Sequence, residues 1–326
     1  MQTFYILFPP LLLTILCGGY KIFLETTKHG FLYHVKQKER ICLDRQKIAI
    51  LVDSGSDVPP ELQERYHIFT IPLKIIFNEA EYLDGLTIDA GEVYRRLPNE
   101  IPKTSLPDGA MITAVLDRIH EEGYRQVLAI CISSGLSGTC NMLRVVCEEY
   151  TKLECRVIDS KNISIGSGII AIRCAQLLEE GMDFDTLCQT AEQLIPHSKV
   201  FFCLKTLEYL QKGGRIGKVA AMLGSAIALK PVISCNEEGC YYPIAKCIGR
   251  TPSIKKVLEL AQKFADGCPK VMLAVMHGGA AEEAQALIEE VKKKIPQGVI
   301  EVRGQISPAL GVHTGPGLVG ICVLRG

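Results

Sequence analysis

The chain has no tryptophan, and aromatic residues make up only 6% of it. A surface built from stacked rings is therefore not expected. It also lacks a charge excess, since 36 basic residues face 36 acidic ones. A neutral chain without a basic stripe has no electrostatic footprint for nucleic acid. The 14 cysteines contain no C-x-x-C pair, and the tightest group, Cys235, Cys240 and Cys247, is too loose for a zinc knuckle. Several lie in apolar runs, such as Cys131 in VLAICI and Cys203 in VFFCL. Thiols so placed behave as small hydrophobes and point to a reducing compartment.

Charge is missing altogether from residues 1–20. That length matches the roughly 20 apolar residues that cross a bilayer as a helix. Neither the basic start nor the small-residue cleavage site of a secretory signal is present. Lys21, Lys28, Lys36, Lys38, Arg40 and Arg45 follow it. By the positive-inside rule they place the next domain in the cytoplasm. Residues 1–46 thus read as a hydrophobic membrane anchor and a basic linker. Pro9-Pro10 and Gly18-Gly19 interrupt the helix, so a segment lying in the interface is the alternative.

What remains is long enough for two domains. KIAILVDS reads as a buried parallel strand. Residues 108–122 predict a helix capped by Asp108, with Met111, Val115 and Ile119 on one face. QVLAICIS, SGTCNMLRVVCEEY and CRVIDS continue as strand, helix and strand. This alternation indicates a doubly wound α/β unit over 47–165. Residues 166–326 change rhythm. Two helices, roughly 164–181 and 183–195, precede the strand VFFCL. IALKPVISCN and CYYPIAKCI read as a hairpin across Glu237-Glu238-Gly239. Thr251-Pro252 suggests a helix start, VMLAVMH a strand, and 280–295 an amphipathic helix facing inward through Ala284, Leu287, Ile288, Val291 and Ile295. A second, mixed-sheet α/β domain follows from this pattern.

Familiar catalytic signatures nearly fit and fail. Gly135-Leu136-Ser137-Gly138-Thr139 resembles a hydrolase elbow, but Thr139 replaces the last glycine. Ser137 then reads as a cap for the following helix. In Gly213-Gly214-Arg215-Ile216-Gly217-Lys218 a phosphate loop would need glycine at Lys212 and a hydroxyl at Val219. His277 and His313 have no neighbouring acid pair, so a metal site is not expected. Hydroxyls and glycines do recur at strand ends: Asp53-Ser54-Gly55-Ser56-Asp57, Lys103-Thr104-Ser105, Ser133-Ser134-Gly135 and Asp159-Ser160. Beyond the carboxyl ends of parallel strands such groups can cradle a carboxylate or phosphate.

These segments, with Leu207-Glu208-Tyr209-Leu210-Gln211-Lys212-Gly213-Gly214-Arg215-Ile216, Leu229-Lys230-Pro231-Val232 and Gly315-Pro316-Gly317, stand in the order of the DegV family, which the chain resembles from about Lys47 to its end. The resemblance implies two α/β domains with one long-chain fatty acid between them and its tail in a tunnel of the second. It implies a non-enzymatic carrier without cofactor, whose cargo a separate ATP-dependent kinase subunit converts to acyl phosphate for phospholipid synthesis. By position, Thr104, Ser133 and Ser134 would bind the carboxylate. His277 would lie near the headgroup, and Arg215 near the phosphoryl group or kinase. Leu106 departs from the family, which usually has glutamine there. The alternative is an enzyme acting on a small ketone, akin to the substrate-binding half of dihydroxyacetone kinases, with His277 as its reactive group.

Overall fold

The computed structural model describes residues 47–222 and 229–326 in full, together with the backbone of three N-terminal strands. These are β1 (Leu13–Cys17), β2 (Tyr20–Thr27) and β3 (Gly30–Val35), which pair antiparallel. The expected membrane helix over 1–20 is corrected where it can be compared, because Leu13–Cys17 and Tyr20 are extended. Its other residues lie outside the described ones. Among the described residues no helix is long and apolar enough to cross a membrane.

Residues 1–47 and Ile48–Gly326 form separate units. The larger begins with β4 (Ile48–Asp53), α1 (Pro60–Tyr66), β5 (Ile68–Ile71), β6 (Lys74–Ile76), β7 (Glu81–Leu83), α2 (Ala90–Arg96), β8 (Lys103–Ser105), α3 (Gly109–Glu121), β9 (Gln126–Cys131), α4 (Thr139–Glu149) and β10 (Glu154–Asp159). β10, β9, β4 and β5 build a parallel sheet in that order. Every residue of β4 is buried, as a strand covered on both faces requires. β7, β6 and β8 make a small antiparallel sheet at its edge. Asp108 caps α3 through the Met111 amide as expected. The buried face of that helix is Ile112, Leu116 and Ile119, so Met111 and Val115 sit one position off it.

The chain continues through α5 (Ile165–Glu179), α6 (Phe184–Leu194), β11 (Ser198–Cys203), α7 (Glu208–Lys212), β12 (Val232–Cys235), β13 (Tyr241–Ala245), α8 (Arg250–Ala265), β14 (Val271–Gly278), α9 (Ala281–Lys294), β15 (Gly298–Gln305), α10 (Pro308–Thr314) and β16 (Leu318–Arg325). Its six-stranded sheet runs β13-β12-β11-β16-β14-β15, with only β14 and β15 parallel. α5 is apolar around nearly its whole circumference and packs against both large sheets. A helix of that composition is stable only when enclosed. At Gly168 an added Cβ would lie 2.2 Å from the Ser56 carbonyl, so the helix approaches the loop after β4 as closely as backbone allows. The hairpin pairs as read, although residues 227 and 228 of its first segment lie outside the described ones. α8 begins at Arg250 after Gly249, whose φ is 88°, two residues before the expected Pro252 start. The 12 described cysteines are free thiols, most of them buried, as their apolar settings suggest.

Candidate functional site

Parallel strands deliver their following loops to one edge, and a cavity of about 130 Å³ opens there. β8 contributes Thr104 and Ser105, the loop after β9 contributes Ser137, and α10 contributes His313. Arg215, from the turn after α7, closes one side. Thr104 Oγ1 stands 2.7 Å from His313 Nε2, the direction of the hydrogen bond depending on the imidazole tautomer. Nδ1 of the same ring is buried without a partner. Burial, with the Arg215 guanidinium adding to it, lowers the His313 pKa to about 4. The ring is neutral at pH 7 and offers one donor and one acceptor.

Behind this polar cavity lies an apolar chamber of about 40 Å³, walled by Ile165, Val200, Phe202, Met276 and Leu318 among others. By its volume it holds about three water molecules. Ile163, Tyr241 and Leu310 line both spaces, so the two adjoin.

His313 is placed by two acids, half-buried Asp57 from the loop motif after β4 and buried Asp84, which no motif marked. Asp57 accepts from the Ser307 amide (2.8 Å) and the Ser164 hydroxyl. Asp84 accepts from the Ala309 amide (2.7 Å) and from Ser54 Oγ (2.6 Å). Ser307 and Ala309 open α10, so both carboxyls fasten the helix that carries His313. Asp53 accepts from the Ile132 amide at 2.8 Å, and its Oδ1 has no partner. Burial pushes Asp53 and Asp57 up to about 7 and raises Asp84 as well. Gly213 packs flat on the imidazole, since a Cβ there would lie 2.2 Å from Nδ1.

The structure brings together Thr104 and Arg215 of the expected site residues and leaves three others elsewhere. Ser133 is fully buried, and its Oγ accepts from the Gly135 amide at 3.0 Å. Ser134 donates to Asp159, which Lys161 also grips at 2.8 Å. Neither lines the cavity; they shape the loop that contributes Leu136, Ser137 and Gly138 to it. His277 is the penultimate residue of β14, accepts from the Ala280 amide at 3.4 Å, and borders neither space. Burial lowers its pKa. Arg215 also donates to the Gly213 carbonyl at 2.8 Å, so it closes the end of α7 while facing the cavity. Leu106 lines the cavity, adding an apolar wall beside Thr104. His313, which lines the cavity beside Thr104, was not among the expected site residues; its position two residues before Gly315-Pro316-Gly317 was the one signal available.

A parallel sheet and a mixed sheet, with a polar cavity adjoining an apolar chamber, define a two-sheet α/β protein. The chain belongs to the DegV family: residues 47–326 match the family described as "Uncharacterised protein, DegV family". It is 39% identical over 289 residues to a DegV domain-containing protein of Clostridium acetobutylicum, covering 86% of this chain and 99% of that one. To a counterpart in Clostridium perfringens it is 40% identical over 280 residues, with 86% and 99% covered. Among solved structures it is similar to a fatty-acid-binding DegV family protein from Thermus thermophilus (TM-score 0.80, 28% identity, 86% and 99% covered). A stearic acid-binding protein from Eubacterium ventriosum aligns with TM-score 0.79 at 29% identity, covering 85% of this chain and 98% of that one.

Proposed function

We propose that this chain binds one long-chain fatty acid, its carboxylate held by Thr104 and His313 and its tail in the chamber beyond Tyr241. The observation that carries this reading is the junction of a hydroxyl–imidazole pair with an apolar interior across shared lining residues. Fatty-acid binding by the Thermus and Eubacterium relatives supports it. Residues 47–165 supply Thr104 and, through Ile163, Ser164 and Ile165, part of the chamber wall, and residues 166–326 supply His313, Arg215 and the rest of that wall, so the ligand lies across both domains. Each buried methylene contributes roughly 0.8 kcal/mol. A carboxylate leaving water needs charge-assisted donors, which Thr104 Oγ1–H and an imidazole N–H provide. At about 40 Å³ the chamber is too small for a long alkyl chain, so its walls must part on entry. Met276, with its flexible thioether, is the wall residue best suited to yield.

In this reading the protein is a carrier that presents the carboxylate to a separate ATP-dependent kinase subunit. Arg215 sits between exposed glycines at the cavity and is the cation available to the transferred phosphoryl group. The test is direct. The full-length chain is purified from a bacterial host, extracted with organic solvent, and the extract is read by mass spectrometry. About one fatty acid per chain is expected, and a chain that neither retains nor takes up a fatty acid would falsify the carrier reading.

A further inference from the structure

A separate cavity, of about 460 Å³, is walled by α4, β10 and α6. It shares no lining residue with the polar cavity or the apolar chamber. Arg144, Glu148, Arg156, Asp185 and Glu192 give it a charged lining, yet three cysteines open into it. Cys147 stands in the last turn of α4, Cys155 is the second residue of β10, and Cys188 lies on α6.

Cys147 and Cys155 are neighbours. α4 packs along β10, and Cys147 belongs to the apolar cluster against which Cys155 packs. The connection between them is clamped to α3, because Tyr150 Oη (2.6 Å) and Lys152 Nζ (2.9 Å) both donate to Asp117. The Cys155 thiol donates to the Leu153 carbonyl at 3.8 Å, which leaves its sulfur free to accept. A hydrogen bond from Cys147 takes up that capacity and lowers the Cys155 pKa. Cys155 is half-buried and Cys147 is 9% exposed, so Cys155 is the thiol that a small oxidant reaches first.

The fold contains its own control. Cys131, which ends β9, and Cys140, in the first turn of α4, also hydrogen-bond each other. Both are fully buried, and neither lines any of the three spaces. Filling apolar space accounts for that sealed pair. The other pair faces an open, charged cavity as well as the core.

We infer that Cys147 and Cys155 form a reversible modification site, which hydrogen peroxide entering this cavity converts to a disulfide. The Cys155 thiolate attacks one peroxide oxygen, and the O–O bond breaks. Cys155 becomes a sulfenic acid, and the departing hydroxide takes up a proton as water. The Cys147 sulfur then attacks the Cys155 sulfur; the S–O bond breaks, and that oxygen leaves with the Cys147 proton as a second water. The two thiols lose two electrons and the peroxide gains them. A disulfide that forms and is reduced again suits a reducing compartment, where such bonds are transient.

The experiment exposes the reduced full-length chain to hydrogen peroxide without denaturant, then denatures it, alkylates it at low pH and digests it with trypsin. Cleavage after Arg144, Lys152 and Arg156 puts the two cysteines on separate peptides, 145–152 and 153–156. Mass spectrometry should recover these peptides joined, with their alkylated forms lost in step and restored by dithiothreitol. Peptide 126–144, which carries Cys131 and Cys140, should stay alkylated at both. In Cys147→Ser, Cys155 should instead remain as the sulfenic acid, trapped with dimedone. The inference is overturned if both peptides stay alkylated, if Cys155 oxidises without joining Cys147 or joins Cys188 instead, or if the sealed pair oxidises as fast. The parent chain decides each of these outcomes, whether or not the variant folds.

Discussion

Thr104 Oγ1 and His313 Nε2, 209 positions apart in the chain, lie 2.7 Å from each other. One stands on a three-residue edge strand and the other on a two-turn helix, and neither element would hold its shape alone. The pair exists because Asp57 and Asp84 tie the start of α10 to the loops after β4 and β7. The same contacts position a polar pair and keep the helix in place.

Thr104→Ala removes one of two side chains proposed to meet the carboxylate. Hydrogen bonds to charged groups contribute about 1.5–3 kcal/mol, so fatty-acid affinity should fall about ten- to hundredfold. Thr104→Ser should retain most of it. Titration of delipidated protein with a fluorescent fatty acid checks both, and the melting temperature should change little because Thr104 is half-buried.

Gly213→Ala places a methyl group where the His313 ring now lies, 2.2 Å from Nδ1. The backbone at Gly213 has φ −79°, which alanine adopts without strain. Helix α7 should survive while the imidazole is displaced. The expected outcome is a folded protein with fatty-acid affinity reduced to the level of His313→Ala. Equal affinity to the parent would show that the ring has room to shift.

Arg215→Ala removes the cation that adds to burial in lowering the His313 pKa. The NMR titration midpoint of His313, near 4 in the parent, should move upward. Fatty-acid retention should persist, whereas phosphorylation by a partner kinase should slow. An unaltered rate removes Arg215 from the phosphoryl-transfer role.

Two carboxyls should contribute to stability with an inverted pH dependence. Asp53 and Asp57 hold their protons to about 7 in the fold, against 3.8 in the unfolded chain. Between those values the folded state binds more protons, so these groups stabilise it fully below 3.8 and progressively less as pH rises towards 7. His313 acts oppositely: its pKa of about 4 lies below the ordinary 6.5, so stability is lost as pH falls between them. The contribution of the two carboxyls therefore gains on mild acidification, while those of His313 and of carboxylates held low by their partners, such as Asp159 and Glu283, decline. Asp53→Asn, which keeps an acceptor for the Ile132 amide, should flatten that gain in urea melts recorded between pH 4 and 7.

Local chemistry was legible wherever neighbours in sequence decide the outcome. The all-buried run of β4, the Asp108 and Asp183 caps, and the inward stripe of α9 follow from patterns within a few residues. The buried face of α3 was missed by one position because three spaced apolar residues fit two adjacent helical stripes, and only the sheet beneath selects between them. Ser133 and Ser134 looked like ligand donors because hydroxyls after a strand commonly are. In the structure, from the loop after β9, they bond Gly135 and Asp159.

Taken alone, the amino-acid order determined the alternation of strands and helices, the two kinds of sheet and the apolar interior, because burial periodicity and capping act over short separations. Which histidine meets Thr104 was decided only in three dimensions. His277 and His313 each end a segment beside glycines, and nothing local distinguishes them. What separates them is the packing of α10 against the carboxyls of Asp57 and Asp84, contacts spanning 250 and 225 positions.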